Sequence, residues 1–390
     1  MLLTTGSIHR HWFPRLKGWV AAVIEVIEVN SWSTLRYYER TWDTLWRQTP
    51  GATFFQSYQW LSLYGKHFGE GKKLRVFLVV ADGETIGIVP LIEQQHQTKL
   101  GRFRTLTYPL DHWGSYFGPI GSQPALTLIC VMRYLARKHG TWELLDLSWI
   151  DPERDHGRTA NALRINGLEA VTRPGKRVAE IDLTGGYSSY LAGRKGSFRQ
   201  NLKRLTRRAE KAGITFHRFR PAAGLTTDES GYYDQIVDLA ERSWQGAAKE
   251  GYTLSHPRVA PFLREAHTAA AQRGMVDIAM LCQGEQVIAY CYNYHHQGCV
   301  QGLRTGYDRE YRDYGPGTVL YGLMLEEGAE RGDQRYDLGA DHQPAKRHWA
   351  THWNPTQTVR HYRPAGAGRS LALKWSHRCK GALQKLLAGL

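Results

Sequence analysis

The chain has 390 residues, of which 42% are hydrophobic and 22% charged, and a formal net charge of +15. That length suits two domains of ordinary size with packed cores, the composition is that of a folded protein, and no apolar run reaches the length of a membrane span. The charge points to anionic partners, and coenzyme A, RNA, an acidic glycan and an anionic membrane surface all qualify.

In chain order, the first residues carry His9, Arg10, Arg15 and Lys17 without a long apolar core or a small-residue cleavage site. No secretory signal is therefore expected. The run 19–29, broken by Glu25 and Glu28, reads as a first strand and 34–48 as a helix. Residues 74–81 and 84–93 read as a hairpin about Asp82-Gly83. A third strand is predicted over 103–108, a helix over 124–138 and a strand over 142–150. Residues 151–175, rich in Arg, Gly and Asp, read as a crossover. A second half begins near Val178, with a helix over 187–212, a strand over 214–220 and a helix over 232–245. Strands over 276–281, 286–296 and 299–306 follow, separated by the turns Gly284-Glu285 and Gln297-Gly298. A helix over 318–331 and a short strand over 335–338 complete the repeat of the first half's order. The five cysteines, Cys130, Cys282, Cys291, Cys299 and Cys379, are odd in number and lack paired spacing, which fits reduced thiols in a cytoplasmic protein.

The most informative stretch is Arg312-Asp313-Tyr314-Gly315-Pro316-Gly317, between a predicted strand and a predicted helix. Gly315 and Gly317 let the backbone approach an anion because neither has a Cβ. The first amides of the helix, at Thr318 and its neighbours, have no intrahelical acceptor, and Arg312 adds a forked cation. An R-x-x-G-x-G loop in this setting suits the pyrophosphate of coenzyme A.

An antiparallel meander feeding such a loop, a helix and one more strand resembles the GNAT N-acyltransferase superfamily. Gly306-Tyr307-Asp308, Tyr311, Gly315-Pro316-Gly317, Asp337-Leu338-Gly339 and Lys346 are similar to the carboxy-terminal half of CelD/BcsL-type acetyltransferases, which are linked to cellulose and exopolysaccharide biosynthesis. Residues 194–213, Ser243-Trp244 and 55–60 extend the likeness. Gln245, Asp341 and Ala345 depart from the pattern, at positions of the acceptor side. The resemblance implies an α/β fold of two tandem GNAT-like domains, as in Fem-type transferases, each a mixed, mainly antiparallel sheet flanked by helices. The expected parts are a degenerate domain over 19–175, whose 108–119 stretch has no R-x-x-G-x-G and walls the acceptor cleft, and a cofactor-holding domain over 176–365. A basic amphipathic tail over 366–390 follows.

Acyl-CoA, acetyl-CoA above all, is the co-substrate implied. Arg312, Tyr314, Gly315, Pro316, Gly317 and Thr318 would hold it, and the strand residues Leu303, Arg304 and Thr305 would offer an amide to its carbonyl. Direct attack of an amine on a thioester needs a neutral amine and a protonated leaving group. Asp337 is the candidate base, or a turn residue; Tyr307 is the candidate acid, or a packing residue. Trp244, Asp341, Lys346, Arg199 and Arg204 are candidates for the acceptor side. Arg199 and Arg204 belong to a crowd of eight cations over 194–211, read either as a solvated face or as an anion-binding one. His295-His296 with Cys299, and His342, His348 and His352, match no recognised zinc spacing, so no metal is expected. The tail stripe of Leu371, Trp375, Leu383, Leu386 and Leu387 fits docking on the protein or contact with an anionic membrane surface. The function expected is acyl transfer to a small-molecule or glycan amine in polysaccharide or envelope assembly, in the cytoplasm or on the inner membrane face. The alternatives are an aminoacyl-tRNA-dependent Fem-type transferase and a non-catalytic assembly protein on the same scaffold.

Overall fold

The computed structural model describes residues 23–98, 101–111, 113–138, 140–224, 231–243, 253–340, 344 and 346–363. The first half runs β1 (Ile24–Val29), α1 (Trp32–Leu35), α2 (Glu39–Gln48), α3 (Tyr58–Phe68), β2 (Lys73–Ala81), β3 (Glu84–Thr98) and β4 (Gly101–Thr107). It continues with α4 (Pro124–Arg137), β5 (Leu144–Ile150), α5 (Pro152–Asp155), α6 (Arg158–Ile165) and β6 (Val171–Asp182). The helices α7 (Gly186–Ala192) and α8 (Gly196–Lys211) join this to the second half. There follow β7 (Ile214–Phe219), α9 (Tyr232–Arg242), α10 (Ala260–Gln272), β8 (Val276–Gln283), β9 (Gln286–His296) and β10 (Cys299–Tyr307). Last come α11 (Pro316–Glu330), β11 (Arg335–Ala340), α12 (Lys346–Trp349) and β12 (His352–Tyr362).

The strands form one sheet in the order β1-β2-β3-β4-β5-β12-β6-β11-β10-β9-β8-β7. Among the described strands only β4–β5 and β10–β11 pair in parallel, so each half has one parallel step. The halves exchange their last strands. β12 pairs with β5 of the first half, β6 pairs with β11 of the second, and β6 and β12 pair with each other at the centre. The seam expected near residue 175 thus falls inside β6.

The helices α7, α8 and α11 cover one face of the second half, over a core of Ile181, Leu202, Leu205, Val300, Leu320 and Tyr336. On the other face an aromatic cluster ties the halves together. Trp60 of α3 packs edge-on against Phe54, Phe55, Trp113 and, from α10, Phe262. Ser57 caps α3 by accepting from the Trp60 N–H. The 55–60 stretch is therefore an interface element between the halves.

Several elements differ from the sequence reading. α3 and α10 are helices that it left unread, and both bury aromatic or small residues against each other rather than presenting a clean polar face. β6 and β12 contain Pro174-Gly175 and Pro355, which signal breaks; both lie at a register shift of the central pair, where a missing N–H costs no ladder bond.

Candidate functional site

The predicted phosphate loop lies at the junction of the turn Arg309–Tyr314 with α11. Gly315 sits at φ 62, a left-handed conformation that glycine adopts freely. A Cβ there would stand 2.7 Å from Leu205 Cδ1, so α8 is packed directly on the loop. The loop's amides are partly used: Gly315 donates to the Arg312 carbonyl and Thr318 to the Gly315 carbonyl, and Pro316 has none to give. Among the described residues the Gly317 N–H has no acceptor, and the space where its Cβ would be is open. Around that amide, Arg312 is exposed, and Arg208 of α8 donates to the Asp313 carbonyl at 3.1 Å while lying over the Tyr314 ring. An anion here would meet one free amide, the helix terminus and two arginines, which fits a phosphate-bearing ligand. Arg199 and Arg204 are exposed on the same helix, the latter bonded to Asn201.

The parallel pair β10–β11 holds register through Gln301 and Asp337 and has no pairing beyond them. β10 shifts register against β9 between Gly302 and Arg304, so Leu303 is the bulged residue. This leaves the Leu303–Thr305 segment along the opening of a wedge, with Asp337 at its apex. Arg304 lies over Trp113, and Thr305 donates to the Tyr290 carbonyl.

Asp337 is buried, and its pKa is pushed up to about 6, first by burial and then by the neighbouring Glu180 carboxylate. The Gly339 amide donates to it at 2.6 Å, and the Ser115 hydroxyl also holds its charged form. Glu180 of β6 is its direct partner across the ladder and is itself buried. Its Oε2 accepts from Asn354 Nδ2 at 3.1 Å. Tyr116 stands beside both carboxylates, and its hydroxyl is held protonated by burial and by Glu180. Trp113, Ser115 and Tyr116 all come from the 108–119 stretch of the first half, which therefore walls the wedge of the second.

The first half supplies an internal control. Asp146 is the third parallel partner on β5, as Asp337 is on β11. Its cross-strand partner on the exchanged strand is Arg360, which donates to Asp146 Oδ2 at 3.0 Å. One half thus neutralises the position with an ion pair, and the other sets two acids against each other. The first half's own opening is closed by its own chain, with Phe117 donating to the Trp149 carbonyl and Ile120 bridged to Ile88.

Of the residues singled out by sequence, the structure gathers Leu303, Arg304, Thr305 and Asp337 at the wedge. It places Lys346 beside it, donating to the Ala340 carbonyl at 2.9 Å. Tyr307 packs into the core beneath α8 and α11, on the face opposite Asp337. Trp244 and Asp341 lie outside the described residues, as do Gln245, Ala345 and the tail. Sequence reasoning missed Ser115, Tyr116 and Glu180, whereas Arg208 belongs to the crowd of cations that it read as a candidate anion-binding face. Glu180 left a signal, an acid inside the apolar run Val178-Ala179-Glu180-Ile181; Ser115 and Tyr116 left none, because only the tertiary fold brings them to Asp337. Among the described residues no group of three or more His, Cys, Asp or Glu is placed to hold a metal. Cys130, Cys282, Cys291 and Cys299 are buried free thiols. None of the described helices is long and apolar enough to cross a membrane.

Residues 196–347 match the family described as Acetyltransferase (GNAT) domain. Among curated proteins, none matches the chain by sequence. Among solved structures, FemX is similar at 12% identity with a TM-score of 0.57, covering 82% of this chain and 95% of its own. L-PGS from Bacillus licheniformis is similar at 15% identity with a TM-score of 0.51, covering 78% of this chain and 86% of its own. The fold of the chain is similar to those of FemX and L-PGS, and its residues 196–347, which hold the Arg312–Gly317 loop and Asp337, match the GNAT acetyltransferase domain in sequence.

Proposed function

We propose that the protein transfers an acyl group from acyl-CoA to an amine acceptor, with the second half as the reacting half. The observation that carries this is the wedge between β10 and β11: a phosphate loop lies beyond one end, a bulged strand lines it, and a buried Asp337 with its pKa raised to about 6 stands at its apex. In this reading Gly317, Arg312 and Arg208 bind the pyrophosphate, and the bulged Leu303 segment lies along the thioester. Asp337 takes the first proton that the attacking ammonium must lose. As the C–N bond forms and the C–S bond breaks, the departing thiolate takes up the second proton from the acylated nitrogen, leaving the amide and the free thiol. A carboxylate that titrates near neutrality is matched to that task, whereas an ordinary one is too weak a base. The likeness to CelD/BcsL-type proteins supports an acetyl donor and an amine acceptor in polysaccharide or envelope assembly. The test is isothermal titration with acetyl-CoA followed by a discontinuous amine-acetylation assay. Binding that is weakened by Arg312→Ala, with turnover lost in Asp337→Asn, is expected; no binding heat overturns the reading.

The exposed basic face of α8 supports a second reading, in which the donor is an aminoacyl-tRNA, as the Fem-type resemblance implies. It predicts retention of charged tRNA on filters with an affinity that falls steeply with salt, and a reaction indifferent to acyl-CoA.

A further inference from the structure

We propose that the cavity between the two halves, next to the Asp337–Glu180 pair, is an acceptor subsite for a small molecule that carries both an amine and an acidic group, a carboxylate or a phosphate. This deepens the acyl-transfer reading and rests on it for the identity of the reaction. The cavity measures about 360 Å³, within the range of small-molecule sites, and three segments build it. The first half gives Gly51 and Arg154, the exchanged strand β6 gives Glu180 and Asp182, and the second half gives Arg335.

The lining is bipolar. Glu180 is only 4% exposed, and its Oε1 accepts no hydrogen bond of normal geometry, although the Tyr116 hydroxyl stands beside it. A buried carboxylate oxygen in that state calls for a donor, and an ammonium is the strongest one available. Asp182 is exposed, with its Oδ1 taken by the Thr184 amide and hydroxyl, whereas Glu180 is the buried acid of the lining and has one oxygen left to accept. Arg335 and Arg154 supply the opposite charge. Arg335 Nε donates to Cys299 Sγ, and its Nη1 lies 3.8 Å from Glu180 Oε2, too far for a hydrogen bond. Arg154 donates to the Gly51 carbonyl and pairs with Asp151. Guanidinium groups match the planar oxygens of carboxylate and phosphate. Glu180 also lies directly beside Asp337, so an amine held by Glu180 is delivered to the apex of the wedge.

The test separates this inference from the acyl-transfer reading by measuring binding to the chain without cofactor. Isothermal titration would compare L-lysine with cadaverine, and glucosamine phosphate with glucosamine, which together distinguish a carboxylate from a phosphate. In at least one pair, the member that carries the acidic group is expected to bind about tenfold or more tightly than the member that lacks it. That preference is expected to vanish in Arg335→Met and in Arg154→Met, with overall binding lost in Glu180→Gln. Two arginine variants are used so that misfolding of one does not silence the test. Equal affinity within both pairs, or a preference unchanged in both arginine variants, overturns the inference. A failure to bind acetyl-CoA in the same titrations would instead overturn the acyl-transfer reading and leave the cavity result standing.

Discussion

Asp337 on β11 and Glu180 on β6 are direct antiparallel partners, both buried, at the register position where the first half pairs Asp146 with Arg360. Burial and the neighbouring Glu180 carboxylate both disfavour the charged form of Asp337. The ion pair at the related position carries no such penalty. The difference between two copies of one fold marks the second half as the one that keeps a costly arrangement, as reacting sites do.

The first prediction concerns stability. The Asp337 carboxyl titrates near 6 in the folded chain against an ordinary 3.8. The folded state therefore holds a proton that the unfolded state releases, and stability falls as pH rises from about 4 to about 6. Asp337→Asn removes that loss and should raise stability at pH 7.5 by up to about 3 kcal/mol, with little change at pH 4. Denaturation with urea at the two pH values measures it; equal effects at both would contradict the assigned environment.

The second prediction concerns rate. The acylation of an amine should rise with pH through about 6 as Asp337 loses its proton, and Asp337→Asn should lower kcat by about a hundredfold or more. Glu180→Gln removes the negative charge beside Asp337 and should move the inflection to lower pH. A profile that keeps its inflection in Glu180→Gln would separate the two carboxyls functionally.

The third prediction concerns the phosphate loop. Arg312→Ala and Arg208→Ala should each weaken acyl-CoA binding about tenfold at low salt, and by less as salt screens the contact. Titration at two ionic strengths reads this directly. Loss in Arg312→Ala alone would show that Arg208 serves only the packing of α8 on the loop.

The fourth prediction tests that packing. Gly315→Ala places a methyl 2.7 Å from Leu205 Cδ1 and strains a left-handed residue. It should cost about 1–2 kcal/mol. Part of the cost should return in the double variant with Leu205→Ala, since the clash is then gone. A double-mutant cycle with no coupling would mean that the two sites do not touch.

A fifth concerns the second half's buried ion network. Asp277 is fully buried between Arg218 and Arg220, which hold its pKa down at about 2 against its burial. Its contribution to stability is present above the ordinary carboxylate range and is lost as pH falls through about 2. Asp277→Ala leaves the buried Arg218 and Arg220 to share Asp333 as their remaining close carboxylate and should cost at most about 3–5 kcal/mol at neutral pH.

Much of the order of strands and helices was legible in the sequence because alternation and turn residues act locally. The Asp82-Gly83 hairpin, the meander from Val276 to Tyr307 and the glycine-bearing loop before α11 all follow from neighbours along the chain. Asp337 and the Leu303–Thr305 strand were candidates on the same local signals, and the structure sets them at one wedge. What the chain alone did not disclose is which of its two end strands completes which half. β6 and β12 carry prolines and a polar face, and their pairing partners lie far away in sequence. Only the tertiary structure decided that exchange, and with it the meeting of Asp337 with Glu180, Ser115 and Tyr116. Strand pairing and burial depend on distant segments, and a carboxyl group's proton affinity depends on who surrounds it rather than on its place in the chain.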